Sequence, residues 1–355
     1  MSGMSPIAVL AFLSAFPIQQ AQAKPVTLTR TYVLGEKSTY RVRADIQIQV
    51  RAGELRTFIP QDEGLEYDFT TEVKQLKPDG IADVIYRRPT IKVIEGETFD
   101  SGIKTTTEKI NFNYLLTMSP INEVLADKDL NPPKKEKAAA DKLNLATKSA
   151  LAKRAQDFFG VFIEEVQRLS VFIGSLDSSL DFNPKFPFDE VVVGDSWKRT
   201  VGFQPQKLKG TDGKQAVQRL DITYTFKGTT KRGPKDVYRI DADLNHETDL
   251  SQFLNQLAEV DEEVTGIKRF PLRLKAKVTY DIDPATGRTL GAVAESEGGF
   301  ELVLTEQEND PLVEQKLKGR TVMSLLSVTK AAPAKKAPAK KTPPPKGKTK
   351  GKSKG

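Results

Sequence analysis

From Tyr40 to Arg51 apolar and polar side chains alternate without a break. Tyr40, Val42, Ala44, Ile46, Ile48 and Val50 fall on one side, and Arg41, Arg43, Asp45, Gln47, Gln49 and Arg51 on the other. Successive side chains of a β-strand point to opposite faces, so this pattern builds a strand with one buried and one solvated face. At twelve residues it is about twice as long as an ordinary strand. Tyr67, Phe69, Thr71 and Val73 continue the alternation, and Lys77-Pro78-Asp79-Gly80 forms a turn into a strand at Ala82 to Tyr86. Ile110, Phe112, Tyr114 and Leu116 make a further strand.

The second half of the chain repeats the design. Trp197, Val201 and Phe203 share a face, as do Ala216, Leu220, Ile222, Tyr224 and Phe226, and then Tyr238, Ile240, Ala242 and Leu244. The regular run Phe270, Leu272, Leu274, Ala276, Val278, Tyr280 leads through Asp283-Pro284-Ala285-Thr286-Gly287 into Leu290, Ala292, Ala294 and then Phe300, Leu302, Leu304. Val322 to Val328 closes the sheet. Consecutive strands joined by short turns pair antiparallel. Val33-Leu34-Gly35-Glu36 and Val192-Val193-Gly194-Asp195 open the two halves alike, which suggests a duplicated β-unit.

Between the halves the period changes. Phe158, Phe162, Val166, Leu169, Ile173 and Leu176 recur at helical spacing, and a shorter helix is expected around Leu250, Phe253, Leu254 and Leu257. The expected fold is therefore mainly β: long antiparallel strands in one or two strongly curved sheets, half-barrel-like, with a central helical segment packed on a face. The expected organisation is a signal peptide over 1–23, a first β-unit over 24–133, the helical segment over 134–182, a second β-unit over 183–329 and a tail over 330–355.

Charge and termini indicate the compartment. The 355 residues carry a net charge of +7, but from Lys330 onward there are ten lysines and no acid, so the remainder is mildly acidic at −3. The tail, rich in Ala, Lys and Pro, has neither the apolar residues nor the helix propensity to fold. Its lysines Lys335, Lys336, Lys340, Lys341, Lys346, Lys348, Lys350, Lys352 and Lys354 suit an anionic surface, lipid or cell-wall polymer. At the other end, Ile7 to Phe16 is an apolar run too short to span a bilayer, followed by Ala21-Gln22-Ala23. This reads as a signal peptide cleaved before Lys24, and the protein as periplasmic or secreted. An uncleaved N-terminal anchor is the alternative, since no Lys or Arg precedes the apolar run. An exported chain meets little nucleic acid, so the tail is not read as a DNA binder.

Little here points to catalysis. The chain has no cysteine and one histidine, which excludes disulfides, thiolate zinc and histidine-rich metal sites. Gly194-Asp195-Ser196 and Asp243-Leu-Asn-His246 have the spacing of one class of serine hydrolase. Yet Ser196 begins a strand rather than a strand-to-helix turn, and no Gly-x-Asn-Asp block is present. Asp127-Lys-Asp129-Leu-Asn131 and Asp241-Ala-Asp243-Leu-Asn245 lack the glycine and glutamate of a calcium loop. No cofactor or metal is expected.

The stretch Phe186-Pro187-Phe188-Asp189-Glu190-Val191-Val192-Val193-Gly194-Asp195-Ser196-Trp197 resembles a family of exported bacterial β-rich envelope proteins of unknown function. Their shared element is a proline followed by Val-x-x-Gly-Asp-x-Trp. Phe99-Asp100-Ser101 is similar to a second element of that family. The resemblance implies no catalytic residues. In architecture alone, a curved sheet with a helix is also similar to periplasmic lipoprotein carriers. The functional expectation is an envelope-associated, non-enzymatic protein. A concave apolar face around Tyr40, Ile46, Tyr224, Phe226, Leu274 and Tyr280 would take a lipid-like ligand. The alternatives are a serine hydrolase using Ser196 and His246, or a structural protein tethered to anionic wall or membrane by its tail.

Overall fold

The computed structural model describes residues 24–52, 57–60, 62–95, 104–131, 183–203, 218–252, 266–305 and 311–330. The strands are β1 (Glu36–Ala52), β2 (Ile59–Pro60), β3 (Glu63–Leu76), β4 (Ala82–Glu95), β5 (Lys104–Met118), β6 (Val124–Asp129), β7 (Ser196–Phe203), β8 (Gln218–Arg232), β9 (Lys235–Asp249), β10 (Ile267–Arg269), β11 (Pro271–Ile282), β12 (Thr289–Leu304) and β13 (Val313–Lys330). They form one antiparallel sheet in the order β6-β5-β4-β3-β1-β13-β12-β11-β9-β8-β7, with β2 beside β1 and β10 beside β12. The sheet is not closed into a barrel: β6 and β7 are its edges. The last strand returns to lie against the first, from Glu36↔Lys330 to Ala52↔Val313, so both halves of the chain share one sheet. The strand β13 also takes in Lys330, which the sequence assigns to the tail. The expected signal peptide, the central helical segment, the helix beyond Gln252 and the rest of the tail lie outside the described residues.

Alternation in the sequence becomes two faces in the sheet. One cross-strand row runs Tyr67, Val42, Met323, Ala292, Tyr280, Ile240, Phe226, spanning seven strands on the apolar face. Three residues farther along the strands, a row on the other face runs Asp45, Arg320, Glu295, Lys277, Asp243, Thr223, Lys198. A slip of one residue in any strand would exchange the faces, which is why apolar burial fixes register so firmly. Two clusters make up the buried side. The first contains Tyr40, Tyr67, Phe69, Val84, Tyr86 and Leu116 from β1, β3, β4 and β5. The second contains Ile222, Tyr224, Phe226, Ile240, Val278 and Tyr280 from β8, β9 and β11, with Phe270 from just before β11. Ala292 packs against both. Stacked rings consolidate each cluster, with Tyr40 on Phe69 at 4.9 Å and Phe270 on Phe300 at 5.1 Å.

The two ends of the sheet differ. The β3–β4, β5–β6, β8–β9 and β11–β12 turns, all short, gather at one end, together with the start of β1 and of β7. Two straps seal this end. Residues 24–35 and 183–195 pair through Val26↔Val191. The first is tied down by Arg30 N to Pro120 O at 2.7 Å and Thr31 N to Thr286 O at 2.9 Å. At Gly287, φ is 64°, and an added Cβ would lie 2.0 Å from the Thr29 carbonyl oxygen, so only glycine lets this turn meet the strap. The second strap joins opposite edges of the sheet. Phe186 N donates to Ile121 O in the β5–β6 turn, while Trp197 Nε1 and Arg199 Nη2 of β7 donate to the strap carbonyls of Lys185 and Phe186. Leu28, Phe186 and Val191 of the straps join the second apolar cluster, and Tyr32 packs on the first. The sheet therefore curls with its apolar face inward, and the straps stop its base.

A buried ion cluster pins the first strap. Glu36, 2% exposed, accepts from Arg30 Nη2 at 2.7 Å and from Arg288 Nη2 at 2.5 Å. Removing one member of a buried ion pair leaves its partners uncompensated, at a cost of about 3 kcal/mol. Glu36→Gln is expected to lower the unfolding free energy by that order at pH 7, seen as a lower urea midpoint, and to speed proteolysis of residues 24–35. An unchanged midpoint would show that the cluster does not hold the strap.

Candidate functional site

The six sequence-derived ligand candidates all lie on the inward apolar face, and all are buried: Tyr40 6%, Ile46 3%, Tyr224 0%, Phe226 1%, Leu274 4% and Tyr280 1% exposed. They do not form one patch. Tyr40 and Ile46 belong to the first cluster, and Tyr224, Phe226, Leu274 and Tyr280 to the second. Small side chains lie between them on β13 and β12, namely Gly319, Thr321, Ala294 and Ser296. Alternation alone shows which face a residue occupies but not how far apart two strands lie, so the division into clusters was invisible in the sequence.

On the apolar face a crevice of about 50 Å³ opens at the sealed end. Its floor is Phe69, Val73, Val84, Leu116, Met118 and Met323, and its rim is Arg30, Tyr32, Glu36, Tyr40, Asn122 and Asn183. Sequence reasoning pointed to Tyr40 but missed the rim, because Arg30, Asn122 and Asn183 come from straps and turns with no periodic signal. The Tyr40 hydroxyl donates to Thr289 O at 3.1 Å. Burial pushes its pKa up to about 12, while the nearby Arg30 and Arg288 pull in the opposite direction. Tyr67 is likewise raised to about 12 by burial, partly offset by the Arg88 guanidinium 4.6 Å over its ring.

The outward face is charged, and it bears a groove of about 990 Å³ that alternation alone does not reveal. Its lining includes Asp45, Lys198, Asp243, Lys275, Lys277, Glu295, Glu297, Lys318 and Arg320. Across the middle of the sheet signs are segregated by strand, whereas at the sealed end Arg239 of β9 pairs with Asp281 of β11 at 3.1 Å, and at the other end β13 carries Glu314. On this face β13 presents Lys316, Lys318 and Arg320, β12 Glu295 and Glu297, β11 Arg273, Lys275 and Lys277, and β9 Asp241, Asp243 and Glu247. Arg273 and Glu247 form an ion pair at 2.9 Å.

The Gly-Asp-Ser motif is a turn. Gly194 adopts φ 98°, Asp195 Oδ2 accepts from Val192 N at 2.8 Å, and Asp195 O accepts from Phe226 N at 2.9 Å. Ser196 is exposed and shares a hydrogen bond with Thr225 at 2.8 Å. Trp197 is partly buried and stacks on Tyr224 at 5.7 Å. The register Ser196↔Thr225↔Asp241 places His246 five residues farther along β9, a separation of roughly 16 Å along the strand alone. The two side chains also belong to opposite faces, since Ser196 shares the parity of Lys198 and His246 that of Leu244. A Ser196–His246 hydrolase is therefore excluded. His246 is half-buried, and desolvation lowers its pKa. Among the described residues no cluster of three or more His, Asp or Glu could hold a metal ion. No helix among them is long and apolar enough to cross a membrane.

No protein-family model matches the chain, and no curated protein matches it. Among solved structures it is similar to lipovitellin, with 12% identity and a TM-score of 0.38 over 86% of this chain and 26% of that one. It is also similar to a DUF1329 family protein from Desulfovibrio piger (9% identity, TM-score 0.18, covering 82% of this chain and 85% of that one). A third is an outer membrane lipoprotein-sorting protein domain from Vibrio parahaemolyticus (7% identity, TM-score 0.13, 83% and 87%). This chain thus spans about a quarter of the lipovitellin chain it matches.

The raised phenol pKa values carry a stability consequence. Folding keeps Tyr40 and Tyr67 neutral to about pH 12, whereas free phenols ionise near 10. Their contribution is complete below pH 10 and is lost as pH rises toward 12. Absorbance titration at 295 nm should leave at least two of the eight tyrosines un-ionised at pH 11, and urea stability should be lower at pH 11 than at pH 9. Ionisation of every tyrosine near pH 10 in the folded protein would contradict this.

Proposed function

We propose that this is an exported, envelope-associated, non-enzymatic protein that takes a lipid-like ligand against the inward apolar face of its sheet. The supporting observation is the shape of the sheet. It curls with its apolar side inward, two straps stop one end, and among the described residues β6 and β7 remain its edges. A fully closed small barrel fills its interior with its own side chains. An open one keeps a route by which apolar surface can be exchanged between protein and ligand. Two apolar clusters on one continuous face supply that surface, at roughly 25 cal/mol per Å² buried. The face is shielded in the free protein, so binding requires ligand to replace part of its cover. Export rests on the N-terminal apolar run and the Ala-Gln-Ala site, and the lysine tail would add attraction to an anionic surface, weakened by salt.

The test uses purified full-length protein. Mass spectrometry of solvent extracts is expected to show copurifying lipid or fatty acid. N-phenyl-1-naphthylamine should bind the delipidated protein with enhanced fluorescence and be displaced by hexadecanoate. Absence of both copurifying lipid and probe binding would overturn the reading.

A further inference from the structure

The ion cluster at the sealed end holds two cations and one anion. Arg30 spreads its contacts: Nη2 on Glu36, and Nη1 on the carbonyls of Thr31 and Thr286 at 2.5 and 3.2 Å. Arg288 does not. Among the described residues its guanidinium has Glu36 as its one partner, at 2.5 Å, and its Nε is buried without an acceptor. Both arginine side chains are 10% exposed, and no other carboxylate among the described residues pairs with either. A buried donor without an acceptor and an uncompensated charge are both costly where water has little access. An anionic oxygen placed at Arg288 would relieve both at once.

The apolar crevice reaches Arg30 and Glu36 of this cluster, and Arg288 stands behind Glu36, outside the lining. Glu36 and Arg30 are on its rim, and the Tyr40 ring forms a wall whose hydroxyl feels both arginines. Behind Tyr40 the stacked rings of Phe69 and Tyr86 lead into the first apolar cluster. At about 50 Å³ the crevice has room for a small group, not for a whole ligand.

We propose that the ligand is an anionic amphiphile, its carboxylate or phosphate held by Arg288 and Arg30 and its alkyl part laid against Tyr40 and Phe69. This rests on the apolar-ligand reading and names the chemistry of its polar end. One excess positive charge matches one carboxylate. Once the head group has entered beside Glu36 and Arg288 has turned toward it, the Arg288 Nε supplies a charge-assisted hydrogen bond that an uncharged alcohol exploits less well.

The experiment compares hexadecanoate, hexadecyl phosphate and hexadecanol as displacers of N-phenyl-1-naphthylamine from wild type, Arg288→Met, Arg288→Lys and the outward-face control Arg43→Met. Wild type and Arg43→Met should prefer the anionic amphiphiles over hexadecanol by at least tenfold. Arg288→Met should lose the preference, and Arg288→Lys should restore part of it. The two anionic arms show which head group fits. Equal binding of hexadecanol and hexadecanoate to wild type would overturn this inference and leave the apolar-ligand reading standing, as would an undiminished preference in folded Arg288→Met. Absence of binding by all three would overturn both. A readout free of variants is the ¹³C carboxyl resonance of bound hexadecanoate, which should titrate at lower pH than an uncharged apolar site would allow. A carboxyl pKa raised above that of the free acid would contradict the assignment.

Discussion

A single open sheet has two faces and must shelter one of them from water. In this molecule that constraint governs nearly everything else. Strands of fourteen to eighteen residues, such as β1, β3, β4 and β13, alternate in polarity because each contributes one line of side chains to a common apolar surface. The sheet curls toward that surface, straps close one end over it, and the remaining polar backbone of the straps finds partners in the turns it crosses.

Apolar burial fixes register, but it does not by itself decide which strand lies beside which, since any two apolar faces of similar width can align. The charged face supplies part of that information. Over the middle of the sheet, neighbouring strands β13, β12, β11 and β9 carry positive, negative, positive and negative side chains in turn, and the signs reverse at Arg239 of β9 opposite Asp281 of β11. Opposite charges directly across a pair stabilise by roughly 0.2 to 1 kcal/mol, and like charges destabilise. Each contact is small, yet β11 placed beside β13, or β12 beside β9, would set like against like along several positions. Uniform sign over the middle of a strand tolerates a slip, so there the two faces divide the work: one sets register, the other favours the observed order. The edge strand β6 carries Asp127, Lys128 and Asp129 in exposed positions, which discourages edge-to-edge pairing with another chain.

Much of this was legible in the sequence. The alternation at Tyr40 to Arg51 and at Phe270 to Tyr280 predicted long antiparallel strands with the correct inward sides, and Gly194-Asp195 was recognisable as the turn into β7. The six ligand candidates were assigned to one face because parity along a strand is local information. Their separation into two clusters was not legible, because strand order is not: β13 lies between β1 and β12, nearly three hundred residues from its first-strand neighbour. Nor could Arg30, Glu36 and Arg288 be grouped beforehand. They meet only when a strap with no periodic pattern crosses the β11–β12 turn, and the glycine that permits the crossing, Gly287, reads in sequence as an ordinary turn residue.

The central claim is that ligand lies on the inward apolar face rather than in the charged groove. The chain's single tryptophan is well placed to test it. Trp197 packs on the apolar side against Tyr224, and its indole is joined through Lys185 O, and Lys185 Nζ through Asn122 O, to the rim of the crevice. Titration of the delipidated protein with a spin-labelled stearate, with tryptophan emission as the readout, should give saturable quenching reversed by unlabelled hexadecanoate. Binding of the spin-labelled stearate, measured independently, with no quenching of Trp197 would place the ligand elsewhere and contradict the account.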